Sequence, residues 1–113
     1  GFDGAMVTLG DIYLGRGNAA KAESLYKEAV SKGRGDARMK LADMYYENGD
    51  YAKALPLYTE EAEDGEIGAM EKLAVMYAEG KGVKRSESKA KHWREELEKA
   101  NEELDKMFFN LLF

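Results

Sequence analysis

An alanine, a leucine and a tyrosine recur along this chain every 32 residues, and this recurrence constrains the fold more than any other feature. The first series runs Ala5, Leu9, Tyr13, then Ala37, Leu41, Tyr45, then Ala69, Leu73, Tyr77. A second series runs Ala22, Leu25, Tyr26, then Ala54, Leu57, Tyr58, then Ala90 and Trp93 after a step of 36 residues. Most of these residues stand three or four positions apart, which is the spacing of one helix face. A period of this length with two amphipathic segments predicts stacked helix-turn-helix units.

The predicted fold is all-α: a right-handed α-solenoid of three helix-turn-helix repeats with an extended C-terminal helix. We expect one helical-repeat domain over residues 1–113, with units at about 3–34, 35–66 and 67–100. Residues 101–113 either continue the last helix or begin a fourth unit near Asn101. The continuous helix is favoured because Asn101 replaces the terminating glycine of the earlier units and Glu-Lys pairs at helical spacing surround it.

Capping and turn residues mark the ends of the predicted helices. The expected N-caps are Asp3, Asp36 and Gly68 for the first helix of each unit, and Asp50 and Ser86 for two of the second helices. The expected stops of the first helices are Gly15 and Gly17, Asn48 and Gly49, and Gly80 and Gly82. Pro56 falls early in a second helix, where we expect a local distortion and no break.

The pattern resembles the SEL-one-like repeats, a branch of the tetratricopeptide repeat superfamily. The matching positions are Lys21, Ala22, Leu25, Ala29, Val30, Gly33 and Ala37 in unit one, and Lys53, Ala54, Leu57, Ala62, Gly65 and Ala69 in unit two. Unit three has the long inter-helix loop of that branch, whereas units one and two have the shorter loop of ordinary tetratricopeptide units. The resemblance covers about residues 3–100. It implies a bacterial adaptor or scaffold that binds protein partners.

Composition excludes several other classes of function. The chain carries 22 acidic and 17 basic residues, a net charge of −5, which disfavours nucleic-acid binding. It has no cysteine and one histidine, His92, so it lacks a thiolate metal site and a cysteine nucleophile. We therefore expect no enzyme activity, no metal and no cofactor. The sequence has neither a membrane-spanning apolar segment nor a signal sequence, which favours a soluble cytoplasmic protein.

The resemblance also implies that the first helices line a concave groove that binds the partner. The residues expected to face this groove are Val7, Asp11, Leu14, Met39, Asp43, Tyr46, Glu47, Glu71, Val75 and Glu79. They are apolar or acidic, so we expect a peptide or protein with Lys or Arg beside an apolar anchor. None is Lys, Arg or Asn, so the capture of a C-terminal carboxylate by some relatives is not expected.

The end of the chain is unusually apolar. If it is helical, its apolar residues cover almost the whole circumference: Met107, Phe108, Phe109, Leu111, Leu112 and Phe113. A monomer rarely exposes such a surface. Three explanations are open for this apolar surface. A further repeat covers it, or a second copy covers it and forms a homodimer, or it contacts a membrane. The membrane contact is disfavoured because the helix lacks a strongly basic face. The alternative function is accordingly that of a structural or engineered repeat fragment whose main activity is oligomer assembly.

Overall fold

The computed structural model describes the backbone of residues 2–112 and the side chains of residues 4–112. This part of the chain contains six α-helices and no β-strand. The helices are α1 (Phe2–Gly15), α2 (Ala19–Ser31), α3 (Gly35–Glu47), α4 (Tyr51–Glu63), α5 (Ile67–Glu79) and α6 (Glu87–Leu112). The predicted all-α repeat fold with an extended C-terminal helix is confirmed.

Successive helices pack in pairs, and the pairs stack in chain order. The first helices α1, α3 and α5 pack along the second helices α2, α4 and α6, respectively. Between pairs, α3 packs on α2 and α5 packs on α4. Each internal first helix is therefore held between the second helix of its own unit and that of the unit before it.

Small residues set the distance between the two helices of each unit. Ala22, Ala54 and Ala90 are completely buried at equivalent places in the second helices. A larger side chain at these positions would push the paired helices apart. Tyr26 and Tyr58 are buried one turn further along α2 and α4, in the same core cluster as Leu41, Leu73 and Met76.

Gly10 allows a close contact between α1 and α2. A Cβ atom placed on Gly10 would lie 2.6 Å from Cε1 of Tyr26 and 3.0 Å from its Cδ1. The equivalent residues of α3 and α5 are the alanines Ala42 and Ala74. The ring of Tyr26 thus packs directly on the backbone of α1, which is possible because glycine has no side chain.

Three of the predicted N-caps are wrong: Asp36 and Gly68 are each two residues beyond the observed cap, and Asp3 lies within α1. Helix α1 already includes Asp3, the N-cap of α3 is Arg34, and the N-cap of α5 is Glu66, so Asp36 and Gly68 lie inside their helices. Neither Arg34 nor Glu66 makes a side-chain capping bond. Asp36 instead accepts two hydrogen bonds from Arg34, at 2.9 and 2.8 Å. Its charge still suits the positive end of α3.

The other predicted end signals are close to the observed ones. Asp50 is the N-cap residue of α4, although its side chain accepts a hydrogen bond from Asn48 Nδ2 (2.9 Å) instead of bonding to the helix. Ser86 Oγ accepts a hydrogen bond from the backbone N–H of Lys89 (3.3 Å) and so caps α6. Gly15 is the last residue of α1, and the positive φ angle belongs to Gly17. Helix α4 runs through Pro56 without a break.

The long loop of unit three packs back on unit two. Gly82 has a φ of +69°, and a Cβ atom there would lie 2.5 Å from the backbone nitrogen of Ala52. Beside it, Lys81 Nζ lies 5.3 Å from the ring centres of both Tyr46 and Tyr51. The four additional residues of this loop therefore form a second contact between units two and three, beyond that of α4 with α5.

Unit two contains a charged pair where the other units are apolar. Arg38 Nη1 donates to Glu61 Oε1 at 3.0 Å, and Glu61 is buried. Burial raises the pKa of the Glu61 carboxyl even though Arg38 opposes the rise. The equivalent residues are Met6 and Ala29 in unit one, and Met70 and Leu97 in unit three. Because an apolar pair fits the same position, this ion pair distinguishes unit two without being needed for the fold.

Helix α6 continues through Asn101 to Leu112, so the alternative of a fourth unit starting near Asn101 is not formed. With 26 residues it is about 39 Å long, roughly twice the length of the 13-residue α5. Trp93, Leu97 and Ala100 pack against the core that includes residues of α5, and Ala90 is completely buried. We call residues 101–112, all of which are exposed, the overhang.

The Gly10 contact gives a prediction about stability. Gly10→Ala should lower the free energy of unfolding by about 1–2 kcal/mol, because the clash with Tyr26 outweighs the better helix propensity of alanine. The measurement is urea unfolding followed by circular dichroism. Gly15→Ala, in the same helix with no atom near its added Cβ, is the control and should be neutral or stabilising. Equal effects of the two substitutions would contradict the packing of Tyr26 on Gly10.

Candidate protein-binding surface

Side chains bridge the first helices of neighbouring units on one side of the molecule. Lys40 Nζ on α3 donates to both carboxylate oxygens of Asp11 on α1, at 3.1 and 2.9 Å. One unit further along, Lys72 Nζ on α5 lies 4.3 Å from the ring centre of Tyr46 on α3. Helices α1, α3 and α5 therefore present one continuous surface, which we call the first-helix face.

Two of the predicted partner-binding acids are already engaged within the fold. Tyr26 and Tyr58 donate their hydroxyl hydrogens to Asp11 Oδ1 and Asp43 Oδ1, both at 2.5 Å. Burial raises the pKa of both tyrosines, and the carboxylate acceptors raise it further. Burial opposes a low pKa for Asp11, but the hydrogen bonds from Tyr26 and Lys40 hold the pKa of this carboxyl below its usual range. These two carboxylates primarily join helices.

Tyr46 lies in a cluster of aromatic and cationic groups. Its ring meets those of Tyr51 and Tyr58 edge to face, with centres 5.1 and 6.1 Å apart. Lys72 and Lys81 both lie over the ring, and Lys81 Nζ also donates to the Tyr46 hydroxyl at 3.3 Å. The first-helix face is therefore less acidic than the sequence suggests, because lysines of the same chain lie on it.

The remaining predicted groove residues lie in different environments. Val7 is 5% exposed and packs with Met6, Ala29 and Ala37, so it lies in the core and not on the surface. Leu14 and Met39 are partly buried against the main core. The exposed members are Glu47, Glu71, Val75 and Glu79.

A hollow of about 420 Å³ opens between units one and two, where α1 and α3 end and α2 begins. We call it the interunit hollow. Its lining consists of Leu14, Ala19, Ala20, Glu23, Met44, Tyr45, Glu47, Asn48 and Asp50. It brings together two of the predicted site residues, Leu14 and Glu47, and combines apolar side chains with three carboxylates.

The carboxylates of the interunit hollow differ in how they are engaged. Glu23 pairs with Lys27 at 2.9 Å, and Asp50 accepts the hydrogen bond from Asn48. Within the described part of the chain, Glu47 makes neither an ion pair nor a side-chain hydrogen bond. A lysine or arginine side chain can lay its methylene groups on Leu14 and Met44 while its charge meets Glu47.

Sequence reasoning missed the lysines of the first-helix face and part of the interunit hollow. Lys40 and Lys72 stand one 32-residue period apart, as do Asp11 and Asp43. The 32-residue period therefore indicates that the two residues of each pair lie on the same side of successive units. Glu23 and Asp50 carry no comparable signal, because they reach the hollow from different helices and only the stacking of units brings them together.

The described residues carry no grouping typical of metal binding. His92 is exposed on α6 with its ring 4.9 Å from that of Trp93. Among the described residues, no three His, Cys, Asp or Glu side chains are grouped so that they could hold a metal ion. Over the same part of the chain, no helix is both long and apolar enough to cross a membrane.

The stacked pairs of helices place this chain among the helical-repeat proteins. The model of the tetratricopeptide repeat family matches residues 7–66, which is more than half of the 113 residues. The chain belongs to the tetratricopeptide repeat family, whose members generally mediate protein–protein interactions and are typically not catalytic. Neither the curated proteins nor the solved structures include a match.

The bonds of Asp11 give a prediction about pH dependence. A carboxyl whose pKa is lower in the folded than in the unfolded chain stabilises the fold above the unfolded pKa, near 3.8, and this contribution disappears as the pH falls. Asp11→Asn should therefore cost roughly 0.5–1 kcal/mol at about pH 7 and much less at about pH 3. Urea unfolding at both pH values measures the difference.

Glu63→Gln, at an exposed position of α4, is the control and should cost little at either pH. A cost for Asp11→Asn that stays constant between the two pH values would contradict the assignment of a stabilised carboxylate at Asp11.

Proposed function

We propose that this chain is a non-catalytic adaptor or scaffold module that binds a protein or peptide segment with Lys or Arg beside a large apolar residue. The interunit hollow is the observation that supports this most directly. Its apolar side suits an anchor residue, and Glu47 offers a carboxylate that no described residue neutralises by contact. This combination favours a cationic and apolar ligand over an acidic one.

The bound segment continues from the interunit hollow along the first-helix face in this proposal. Its further contacts are Tyr46, Glu71, Val75 and Glu79. Asp11, Met39 and Asp43 act mainly by holding the first helices in place, because Asp11 and Asp43 are bonded within the fold and Met39 is partly buried. Val7 is excluded because it is buried.

We also propose that unit three belongs to the SEL-one-like branch and that the chain is of bacterial origin. The support for the branch is the longer loop between α5 and α6, together with the positions of Gly80, Gly82 and Trp93. The tetratricopeptide match ends at residue 66, before this unit. Units one and two are then ordinary tetratricopeptide units joined to a SEL-one-like unit.

A peptide array with basic-apolar, acidic-apolar and uncharged sequences tests the ligand class. The basic-apolar peptides should bind best, and Glu47→Lys should weaken their binding about tenfold or more by reversing the charge beside the interunit hollow. Glu98→Lys, the same charge change on the exposed side of α6, is the control and should have little effect.

The Glu71→Lys variant distinguishes binding in the interunit hollow from binding along the first-helix face. A modest loss with Glu71→Lys and a larger loss with Glu47→Lys place the anchor in the interunit hollow. If Glu47→Lys binds as the unaltered chain does, or if acidic peptides bind best, the proposal is wrong.

The overhang supports a second candidate function, self-association into a homodimer. Leu104, Met107, Phe108, Leu111 and Leu112 lie along one side of α6 and are 49–85% exposed. Their helical spacing continues the stripe of Trp93, Leu97 and Ala100 that packs in the core of unit three. Phe109 extends this surface to one side and is 60% exposed, whereas Phe113 lies outside the described residues. The apolar stripe of α6 therefore continues beyond the part of this helix that packs on α5.

Mass measurement in solution tests this second function. The unaltered chain should be a dimer, and Phe108→Asp should give a monomer with the same helical content, because a buried carboxylate would disfavour the apolar contact. Ser88→Asp adds the same charge near the start of α6 and should remain dimeric. A monomeric unaltered chain would contradict self-association through the overhang.

A further inference from the structure

One side of α1 is uncovered although the equivalent sides of α3 and α5 are buried. Leu9 and Ile12 are 42% and 45% exposed. Their counterparts one period later, Leu41 and Met44, are 4% and 7% exposed, and Leu73 and Met76 are fully buried. The same helix surface is therefore core in two units and open in the first. We call Leu9, Ile12 and Tyr13 the open face of α1.

The internal contacts show what kind of element fits this face. In unit two, Ala37 and Leu41 of α3 lie in the same core clusters as residues of α2, the second helix of the unit before. Those α2 residues are Ala22, Tyr26 and Ala29, at relative positions 0, 4 and 7. The corresponding residues of α4 are Ala54, Tyr58 and Glu61. These residues also contact the first helix of their own unit, as Tyr26 does at Gly10. Because α3 packs on α2 and α5 packs on α4, the open face of α1 is of the kind that an α-helix covers within the chain.

The overhang carries an exposed apolar stripe that suits such a face, whereas the solvent side of the preceding part of α6 is charged. Leu104, Phe108 and Leu111 stand at relative positions 0, 4 and 7, with the aromatic residue in the middle. The part of α6 that aligns with α2 and α4 has Arg94 at the tyrosine position. Arg94 is exposed and lies 3.7 Å from Glu87, so this part of α6 presents a charged surface to solvent.

Size and charge also match the overhang to the open face. The 12 residues of the overhang span about 18 Å, and the 14 residues of α1 span about 21 Å. A second hollow of about 420 Å³, lined by Leu9, Tyr13, Ala20, Lys21, Ser24 and Leu25, adjoins the open face and has room for an aromatic ring. Lys21 at its edge carries the charge opposite to that of Glu102, Glu103 and Asp105 on the overhang.

We propose that the overhang of one copy docks on the open face of α1 of a second copy. The inference rests on the proposed self-association and names the surface that receives the overhang. Two copies that exchange their overhangs form a closed dimer with two identical contacts, and both exposed apolar surfaces are covered. In this dimer Phe108 enters the hollow beside Tyr13.

Mass measurement on charge variants of the open face tests the proposal. Leu9→Asp and Ile12→Asp should each weaken dimerisation about tenfold or more, as Phe108→Asp does. Both positions are exposed, so helical content should be retained. Thr8→Asp, on the same helix outside the open face, is the control and should not change dimerisation. A mixture of Ile12→Asp with Phe108→Asp should form mixed dimers, because one variant supplies an intact overhang and the other an intact open face.

Disulfide trapping provides a second measurement, because the natural chain has no cysteine. A mixture of Ile12→Cys and Leu111→Cys should form the mixed disulfide, whereas Leu111→Cys alone should not cross-link. If Leu9→Asp and Ile12→Asp dimerise normally and Leu111→Cys cross-links to itself, the overhangs pair with each other. This inference is then wrong, while self-association stands. If the unaltered chain is a monomer, both proposals are wrong.

Discussion

The fold depends on the contact between each internal first helix and the second helix of the preceding unit. Ala37 and Leu41 in α3, and Ala69 and Leu73 in α5, are almost completely buried there. A single unit has no such neighbour and could cover only one side of its first helix. The core therefore runs along the stack of helices, and its stability is the sum of contacts within and between adjacent units. This dependence on neighbours also explains why Leu9 and Ile12 in α1 remain open.

Polar side chains adapt this repeated framework to each unit. The Asp-Tyr hydrogen bond occurs in units one and two, while unit three has Val75 and Arg94 at the equivalent positions. The Arg38–Glu61 pair occurs only in unit two among the described units. The carboxylates of Asp11 and Asp43 are bonded within the fold, so the proposed binding depends on Glu47 instead.

The sequence predicted the helices and their pairing because apolar periodicity reflects burial, and burial is what stacking requires. It misplaced the N-caps near Asp36 and Gly68 because extended residues without capping side chains, Arg34 and Glu66, begin those helices. It treated Asp11 and Asp43 as free, although their tyrosine partners lie 15 positions away on the paired helix. Helical periodicity identifies the buried face of a helix, but it does not identify which polar groups meet across two helices. The interunit hollow was missed for the same reason, since three helices form it.

Amide hydrogen exchange along the chain of the Phe108→Asp variant tests the central claim, that neighbouring helices provide the stability of each element. The slowest exchange should occur in α2, α3, α4 and α5, each of which packs on two other helices. Within α6, residues 87–100 should exchange far more slowly than residues 101–112, although both belong to one helix. Equal protection along α6, or an α1 protected as strongly as α3, would contradict the account.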